Sequence, residues 1–270
     1  MGAAMPEFTS YATGTPCWVD VTSPELDRSV SFYSDHFGWE AEQDPRPEAG
    51  GYTMFKKNGK YVAAGSPPFP GSQPPSSAPA PAHWTTYIAS DDVDGSVARI
   101  GEAGGSVLVE PFDVFDAGRM AVVQDPAGAT FGIWQAGAHH GAELANEPGS
   151  LTWNECQTTD AERAEKFYRA VFAYDVEAVQ MDAGPLYRVL KIDGKSVGGL
   201  MPIRPEMGEV PPNWATCFAV EDADAACART DDLGGRVLAS PLDLPRIGRF
   251  AVLQDPVGAV FQVLSDPAAE

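Results

Sequence analysis

The chain has 270 residues, 44% of them hydrophobic, which is enough for two globular domains with their own cores. Its formal net charge is −20 with only 18 lysines and arginines, which argues against nucleic acid or an anionic membrane as a partner, because both need clustered cations. We recognise no signal peptide and no apolar run long enough to cross a bilayer, and the four cysteines lack C-x-x-C spacing. We therefore expect a cytoplasmic protein.

The first predicted unit consists of a strand, a helix and further strands. Residues 1–14 are expected to be a flexible tail. The alternating pattern of 16–22 then predicts a half-buried strand with Trp18 and Asp20 on one face. Apolar residues at helical spacing follow and predict a helix that ends at Gly38, and short strands come next.

A second unit of the same shape follows a linker. Residues 66–82 are rich in proline, serine and glycine and predict a stiff connection without regular structure. The segment 83–89 predicts a strand, 93–103 a helix, and 131–134 the last strand of the unit. The order of strand, helix and about three strands therefore occurs twice in residues 15–136.

The second half of the chain repeats the first. The sequence Gln-Asp-Pro-x-Gly-Ala occurs at 124–129 and again at 254–259, each time between two apolar runs. Proline presets its φ and glycine accepts a positive φ, so each copy predicts a tight turn between two strands. Other residues, among them Trp18 and Trp153, recur at a nearly constant spacing, which indicates a tandem duplication.

The duplication sets the predicted domain boundaries. After the tail at 1–14, we predict one domain at 15–137 and a second at 150–266, with a linker at 138–149 between them. Each domain contains two of the four units.

Several short motifs together carry a family resemblance. They are Phe32-Tyr33 and Phe167-Tyr168 in the first helix of each half, the Gly-Gly pair after each second helix, and the two Asp-Pro-x-Gly-Ala turns. In this combination the chain resembles the vicinal oxygen chelate superfamily of glyoxalases, bleomycin-resistance proteins and extradiol dioxygenases, and in particular a duplicated actinobacterial glyoxalase-like subgroup.

The resemblance implies an α+β fold with four βαβββ units in two tandem glyoxalase-like domains. It further implies that paired units curl their strands into a cup that holds a small-molecule ligand, and that the two halves form an internal pseudo-dimer. A chain that is closed in this way is expected to be a monomer.

The metal-dependent relatives bind a divalent ion in the cup through histidine on the first strand of a unit and glutamate on the last. The positions of this chain that match that pattern are Trp18, Thr85, Gly132, Trp153, Ala215 and Gln262. None of them supplies the imidazole or carboxylate group that such a site requires. We therefore expect no metal and no other cofactor.

Two carboxylates and several aromatic residues remain as candidates in the cups. Asp20 and Glu155 lie two residues beyond Trp18 and Trp153 and share their strand face. Each carboxylate could be a catalytic acid or base, could orient a polar group of the ligand, or could simply bond to a neighbouring strand or a water. The candidate ligand-binding residues are Trp18, Trp153, His83, Thr85, Tyr87, Trp134 and Gln262. Ordinary packing remains the alternative for the tryptophans, and solvation the alternative for His83.

Two other groups admit a structural interpretation. Arg119 and Arg249 each follow a glycine before a strand, where they could clamp a loop or bind an anion. His139-His140 falls in the linker between the halves and is expected to be solvated, or to belong to no site.

Three functional hypotheses result. The first is metal-independent binding of a small aromatic or planar molecule, as in proteins that confer resistance by sequestration. The second is a metal-independent lyase, isomerase or cyclase that uses Asp20 or Glu155 as acid or base. The third is a metal-dependent glyoxalase or dioxygenase. Turnover separates the first two, because a sequestering protein returns its ligand unchanged.

Overall fold

Four units, each with one helix and four strands, follow one another along the chain. The computed structural model describes residues 7–68, 81–181 and 184–266. Residues 1–6 of the predicted tail and 69–80 of the predicted proline-rich linker lie outside the described residues. None of the described helices is long and apolar enough to cross a membrane.

The two units of the first half have the following elements. They are β1 (Pro16–Thr22), α1 (Leu26–Phe37), β2 (Glu40–Gln43), β3 (Thr53–Lys57) and β4 (Lys60–Ser66), then β5 (His83–Ala89), α2 (Val93–Glu102), β6 (Ser106–Val114), β7 (Gly118–Gln124) and β8 (Thr130–Ala136).

The two units of the second half repeat this order. They are β9 (Leu151–Thr158), α3 (Ala161–Phe172), β10 (Asp175–Gln180), β11 (Leu186–Ile192) and β12 (Lys195–Pro202), then β13 (Asn213–Ala219), α4 (Ala223–Asp232), β14 (Arg236–Leu244), β15 (Gly248–Gln254) and β16 (Val260–Ser265).

Each half forms one eight-stranded sheet, and the two sheets have the same strand order. The first runs β2-β3-β4-β1-β5-β8-β7-β6 and the second β10-β11-β12-β9-β13-β16-β15-β14. At the centre of each sheet the first strands of the two units pair in antiparallel fashion, and the last strand of each unit lies parallel to its own first strand. The matching orders confirm the predicted α+β fold of two tandem domains.

The edge strands β2 and β10 were not located in the sequence, although about three strands were predicted after the helix of each unit. The side chains of β2 are exposed along its whole length, so its sequence Glu40-Ala-Glu-Gln43 shows no alternation of apolar and polar residues. It forms because its backbone pairs with β3. A solvated edge strand with charged side chains is a common way of protecting a sheet from further pairing.

Strand β1 was predicted to be half-buried, but six of its seven residues are buried, so that prediction is wrong. Val19 and Val21 face the core beneath α1, as the alternation indicated. The opposite face is also covered, because Trp18 and Asp20 are only 3% and 4% exposed. The cup of the first half therefore contains other parts of the protein.

The helices form cores that cross between the halves. In the first core, Phe32 and Tyr33 of α1 pack with Phe218 and Phe261 of the fourth unit. In the second, the aromatic face of α3 packs against β8 of the second unit. Each half thus buries the helices of the other, which is the predicted pseudo-dimer arrangement.

The centre of the pseudo-dimer is polar. Thr86 on β5 and Thr216 on β13 occupy equivalent positions in the two halves, and their hydroxyl oxygens lie 3.5 Å apart. Asn154 of β9 donates its side-chain amide to the Thr86 hydroxyl at 2.8 Å. This contact explains why the core-facing residues of β9 are less apolar than those of β1.

The two Asp-Pro-x-Gly turns join the halves. One carboxylate oxygen of Asp125 accepts bonds from the backbone N–H groups of Ala127, Gly128 and Ala129, each at 2.9 Å. Its other oxygen accepts a bond at 3.1 Å from the hydroxyl of Tyr168 on α3. Gly128 has φ of +108°, which the turn requires.

In the second copy of the turn, the two carboxylate oxygens of the aspartate again bond to different partners. One oxygen of Asp255 accepts from the three backbone N–H groups of its own turn, at 2.7–2.9 Å. The other accepts from the hydroxyl of Ser29 on α1, at 3.1 Å. Each turn therefore stabilises its own hairpin and bonds to a helix of the other half.

The described part of the predicted tail packs against the predicted linker. The Phe8 N–H donates to the Glu143 carbonyl at 3.1 Å, and the Tyr11 hydroxyl donates to the Ala142 carbonyl at 2.6 Å. Residues 7–14, which we expected to be loose, are thus held on the surface of the fold.

The turn carboxylates generate a first prediction. Asp125→Ala leaves three backbone N–H groups and the Tyr168 hydroxyl without their acceptor, so we expect a loss of about 3–5 kcal/mol in the free energy of unfolding. Tyr168→Phe removes the bond between the halves and also the acceptor of the buried Trp214 indole N–H, and should cost about 2–3 kcal/mol. Urea unfolding followed by circular dichroism measures both. The exposed Asp35 on α1 is the control, and Asp35→Ala should change stability by less than about 0.5 kcal/mol. Equal losses for Asp125→Ala and Asp35→Ala would contradict the role of the turn.

Candidate functional site

The candidate residues of the first half meet on the sheet face opposite the helices, which we name the first cup. Trp18, Tyr87 and Trp134 belong to one buried cluster there and are 3%, 7% and 7% exposed. Thr85 is half-buried and pairs with Asp20 across the two central strands. His83 lies exposed at the rim, where its Nδ1 is 3.2 Å from the Pro81 carbonyl.

Asp20 lies at the centre of the first cup in a chain of hydrogen bonds. Its Oδ2 accepts bonds from the hydroxyl of Tyr87 at 2.9 Å and from the hydroxyl of Tyr52 at 3.4 Å. The indole Nε1–H of Trp18 donates in turn to the Tyr52 hydroxyl at 3.0 Å. The chain of donors runs from indole to phenol to carboxylate.

Burial decides the ionisation of this group. Desolvation raises the pKa of Asp20 to about 7, although the hydrogen bonds from Tyr87 and Tyr52 oppose the shift. Burial and the neighbouring carboxylate raise the pKa of both tyrosines well above its usual value, so their hydroxyls remain protonated and able to donate. The first cup therefore contains a carboxyl group that titrates near neutral pH.

Glu155 occupies the equivalent place in the second half, in what we name the second cup. Its Oε1 accepts bonds from the side-chain amides of Gln157 at 3.0 Å and Gln262 at 3.2 Å. Its Oε2 accepts a bond at 3.1 Å from the hydroxyl of Tyr187, which itself accepts one at 2.8 Å from the indole N–H of Trp153. The chain of indole, phenol and carboxylate is thus present in both cups.

The sequence analysis missed the two tyrosines that complete these chains. Tyr52 and Tyr187 are separated by the same spacing as Trp18 and Trp153, so the repeat contained the signal. The signal is weak, because Tyr52 precedes β3 and lies 34 residues from Trp18 along the chain.

Besides the tyrosine that the cups share, each carboxylate has a donor on a neighbouring strand, and the residue that supplies this donor differs between the cups. In the first cup the ring of Tyr87 lies directly over Gly132, where any side chain would collide with it. The equivalent pair in the second cup is Cys217 and Gln262, which lie side by side on β13 and β16. Gln262 supplies the bond to Glu155 that Tyr87 supplies to Asp20. Burial and the Glu155 charge raise the pKa of the Cys217 thiol, so it is no thiolate nucleophile at neutral pH.

The two cups differ most in their exposure. Trp18 is 3% exposed, whereas Trp153 is half-buried. Leu242 on β14 pairs with Phe250 on β15, so the two side chains lie on the same face of the sheet. Leu242 is 59% exposed. His139, expected to be solvated, instead packs edge-on against Trp18 with 4.4 Å between ring centroids, so that expectation is wrong. The first cup is closed and the second presents an open face.

Two surface hollows lie outside the cups. One of about 330 Å³ is at Pro24–Arg28, and another of about 190 Å³ lies beside the second turn, at Gly234–Arg236 and Gln254–Gly258. Neither is lined by a cup residue.

The two arginines after glycine clamp loops. The guanidinium of Arg119 donates two bonds of 2.9 Å to Asp94 on α2 and one of 2.9 Å to Asp113 on β6. Arg249 makes the same contacts with Asp224 and Asp243. The guanidinium groups of both arginines therefore bond to aspartates of the protein itself, in agreement with the interpretation that they clamp loops.

The donor set of the cups does not fit a divalent metal. Each cup contributes one carboxylate, and its oxygens accept bonds from phenol and amide groups. Among the residues that the structure describes, no group of three or more His, Cys, Asp or Glu side chains converges in the way a metal centre requires. The six positions matched to metal ligands hold tryptophan, threonine, glycine, alanine and glutamine.

Comparison with known proteins gives consistent matches over both halves. Residues 17–133 match the model of the Glyoxalase/Bleomycin resistance protein/Dioxygenase superfamily, and residues 153–264 match that of the Glyoxalase-like domain. The protein CFP32 of Mycobacterium tuberculosis, provisionally named a glyoxylase, is 46% identical over 261 residues, which cover 96% of this chain and 98% of CFP32. The anthracycline biosynthesis protein DnrV of Streptomyces peucetius is 41% identical over 267 residues, which cover 95% of each chain.

Solved structures share the fold at low sequence identity. The Mn(II)-bound glyoxalase from Novosphingobium aromaticivorans superposes with a TM-score of 0.63 at 17% identity, covering 94% of this chain and 82% of the glyoxalase. The 2,3-dioxygenase LapB from Pseudomonas sp. KL28 gives a TM-score of 0.65 at 13% identity, covering 95% of this chain and 94% of LapB. At such identities the likeness concerns the fold alone.

The buried Asp20 generates a second prediction. Its pKa is about 7 in the folded protein and near 3.8 in the unfolded chain, so the folded form binds more protons between these values. Stability should therefore fall as pH rises through this window, at up to about 1.4 kcal/mol per pH unit. Asp20→Asn removes the titrating group. We expect the free energy of unfolding of the wild type, relative to that of Asp20→Asn, to fall by about 2–3 kcal/mol between pH 5 and pH 8.

Urea unfolding at several pH values measures this difference. Asp35→Asn, at an exposed position on α1, is the control and should follow the wild type. If Asp20→Asn has the same pH profile as the wild type, Asp20 is ionised throughout and its raised pKa is wrong.

Proposed function

The chain belongs to the glyoxalase/bleomycin resistance protein/dioxygenase superfamily, and on this premise we propose that it is a metal-independent member that binds a small flat aromatic molecule in its second cup. The binding surface in this proposal is the indole face of Trp153. Glu155 and its hydrogen-bond partners form the polar floor. The first cup, which is filled by the protein itself, takes no part in binding.

The observation that carries the proposal is the half-exposed, fixed indole of Trp153. Its Nε1–H is bonded to the Tyr187 hydroxyl at 2.8 Å, which holds the ring in one orientation. Stacking on such a ring contributes about 0.5–1.5 kcal/mol beyond the burial of apolar area. A fixed ring also loses little side-chain entropy on binding. Apolar surfaces with a few fixed polar groups are the usual form of small-molecule sites.

Metal independence follows from the donor set. The positions that would face a metal in the second cup are Trp153, Ala215 and Gln262, and among the described residues Glu155 is the carboxylate bonded to one of them. Its two oxygens already accept bonds from Gln157, Gln262 and Tyr187. A divalent ion would have to displace these donors and would still lack imidazole or carboxylate ligands.

Charge and the relatives support a class of ligand. With a net charge of −20 and a carboxylate in the cup floor, the site favours a neutral or cationic molecule over an anion. DnrV and a second relative of 41% identity, DauV of Streptomyces sp. strain C5, are named anthracycline biosynthesis proteins. Anthracyclines contain flat fused rings, which an indole face suits. We therefore propose a polycyclic aromatic ligand.

A second candidate function is a metal-independent lyase, isomerase or cyclase. The position of Glu155 favours it, because this carboxyl group lies in the second cup two residues from the half-buried Trp153, where it can exchange a proton with a bound molecule. Asp20 is enclosed in the first cup and is the less accessible of the two carboxyl groups. The name glyoxylase of CFP32 is compatible with this candidate.

The setting of the protein is part of the proposal. The described cysteines, at 17, 156, 217 and 227, are all free thiols, which suits the reducing cytoplasm. We also propose that the chain acts as a monomer, because the internal pseudo-dimer buries its helix faces.

A third prediction tests the binding surface. Quinizarin, a neutral flat dihydroxyanthraquinone, should quench tryptophan fluorescence on binding, and Trp153→Leu should raise its Kd by at least about tenfold, equivalent to about 1.4 kcal/mol. Trp18→Leu, at the same position of the closed cup, is the matched control and should leave Kd unchanged. If that variant fails to fold, as its circular dichroism would reveal, Trp18→Phe replaces it. Unchanged affinity in Trp153→Leu would refute the assignment.

Glu155→Gln separates the two candidate functions. A binding protein should keep its affinity within a few-fold, because an amide preserves the shape and most of the hydrogen bonds. An enzyme should instead lose turnover of its substrate and keep binding. Product formation from quinizarin-like compounds, followed by mass spectrometry, provides the second readout.

A fourth prediction concerns metal content. Protein purified without chelator should hold less than about 0.1 equivalent of Zn, Mn, Fe or Ni by elemental analysis, since the cups lack the ligands for a tight site. A stoichiometric metal that is lost in Glu155→Gln would show that the second cup is a metal centre. The third hypothesis, a metal-dependent glyoxalase or dioxygenase, would then replace the present proposal.

A further inference from the structure

The segment 137–145 covers the first cup as a strap. The Ala142 N–H donates to the Cys17 carbonyl on β1 at 2.8 Å, and the Glu143 N–H donates to the Tyr61 carbonyl on β4 at 2.8 Å. Gly141 has φ of +114° and lies so close to the Cys17 carbonyl that a side chain would collide with it. Backbone bonds thus fix the strap across two strands of the cup.

The strap inserts one aromatic side chain into the cup. The imidazole ring of His139 lies 4.4 Å from the ring of Trp18, 5.7 Å from that of Trp134 and 6.2 Å from that of Tyr61, centroid to centroid, and it meets all three at steep angles. The indole N–H of Trp134 donates to the His139 carbonyl at 3.0 Å, which anchors the residue from below.

The imidazole is neutral and makes no polar contact through one of its nitrogens. Its Nε2 is buried with no hydrogen-bond partner in the structure. Burial, and to a lesser extent the neighbouring His140, lowers the pKa of His139 to about 4, so the ring carries no charge at neutral pH. A ring held by three aromatic neighbours and by shape, rather than by hydrogen bonds to its nitrogens, is packed in the way that a bound aromatic molecule would be.

We propose that the first cup is a binding site for a flat, neutral, five- or six-membered ring, and that the His139 side chain is its permanent internal occupant. The three aromatic rings around His139 form the walls of this site, and the strap closes it. Removal of the imidazole alone leaves the walls in place, because the strap is held by backbone bonds on both sides of residue 139. The emptied site should then accept a free ring of the same size.

The second cup lacks the counterparts of these walls. The positions equivalent to Tyr61 and Trp134 hold Ser196 and Leu264, and the sequence position equivalent to His139 is Ala269, which lies outside the described residues. The side chain at the floor, Trp153, is correspondingly half-buried. If the proposed function of the second cup holds, the chain binds one ligand rather than two, and this part of the inference rests on that function.

Chemical rescue tests the inference. His139→Gly should melt about 4–10 °C below the wild type, and free imidazole at pH 8, where it is neutral, should raise its melting temperature in a saturable manner. His140→Gly removes the exposed neighbouring histidine and is the matched control. The wild type and His140→Gly should show no saturable rise. Equal responses of all three proteins to imidazole, or none in a folded His139→Gly, would overturn the inference.

A second measurement uses the wild type and covers the case in which His139→Gly does not fold. In NMR spectra of protein labelled at histidine, the ring signals of His139 should be displaced by the ring current of Trp18 and should not titrate between pH 5 and pH 8. Ring signals of His139 that titrate freely in this range and lack the displacement would overturn the inference. Quinizarin stoichiometry then separates the two proposals. Two sites in the wild type contradict the closed first cup, whereas no binding contradicts the proposed function and leaves the rescue result to decide.

Discussion

The fold depends on the two buried carboxylates of the Asp-Pro-x-Gly turns. Asp125 and Asp255 are each 3% exposed, and each uses one oxygen to bind the N–H groups of its own turn and the other to bind a hydroxyl on a helix of the other half. A carboxylate buried in this way is stable only while all of these donors are present. The same four-residue motif therefore specifies a hairpin and the attachment of one half to the other, which gives a reason for its presence in both copies.

The two cups share this fold but differ in sequence, and a difference at one position is matched by a difference at the position beside it. The carboxylate and its chain of phenol and indole donors are common to both, so the repeat preserves a hydrogen-bond network rather than one residue type. The final donor comes from Tyr87 in one cup and from Gln262 in the other, and each is accompanied by a small residue, Gly132 or Cys217, on the adjacent strand. The cups remain polar at the floor and differ in what covers them.

The sequence was sufficient for the fold and for part of the site. Repeated motifs and periodicity predicted the units, the helices and the cup positions of Asp20 and Glu155, because these depend on local patterns. The strands β2 and β10 were not located because both are edge strands with mostly exposed side chains, and their pairing depends on a neighbouring strand. His139 was missed for a related reason. Whether a linker residue is solvated or inserted in a cup depends on backbone bonds to distant strands, which the linker sequence does not reveal.

The cores that cross between the halves have a consequence for biosynthesis. The aromatic face of α1 is synthesised early, but Phe261, against which Phe32 packs, follows Phe32 by 261 − 32 = 229 residues and leaves the ribosome much later. Until Phe261 is available, the nascent first half exposes a face rich in phenylalanine and tyrosine. Contacts between residues that are far apart in the sequence form slowly, so this face stays exposed during synthesis. The chain should therefore depend on chaperones during synthesis more than a protein whose domains fold one after the other. If the two copies of the repeat were separated into different chains, each would have to associate with the other before these shared cores could form.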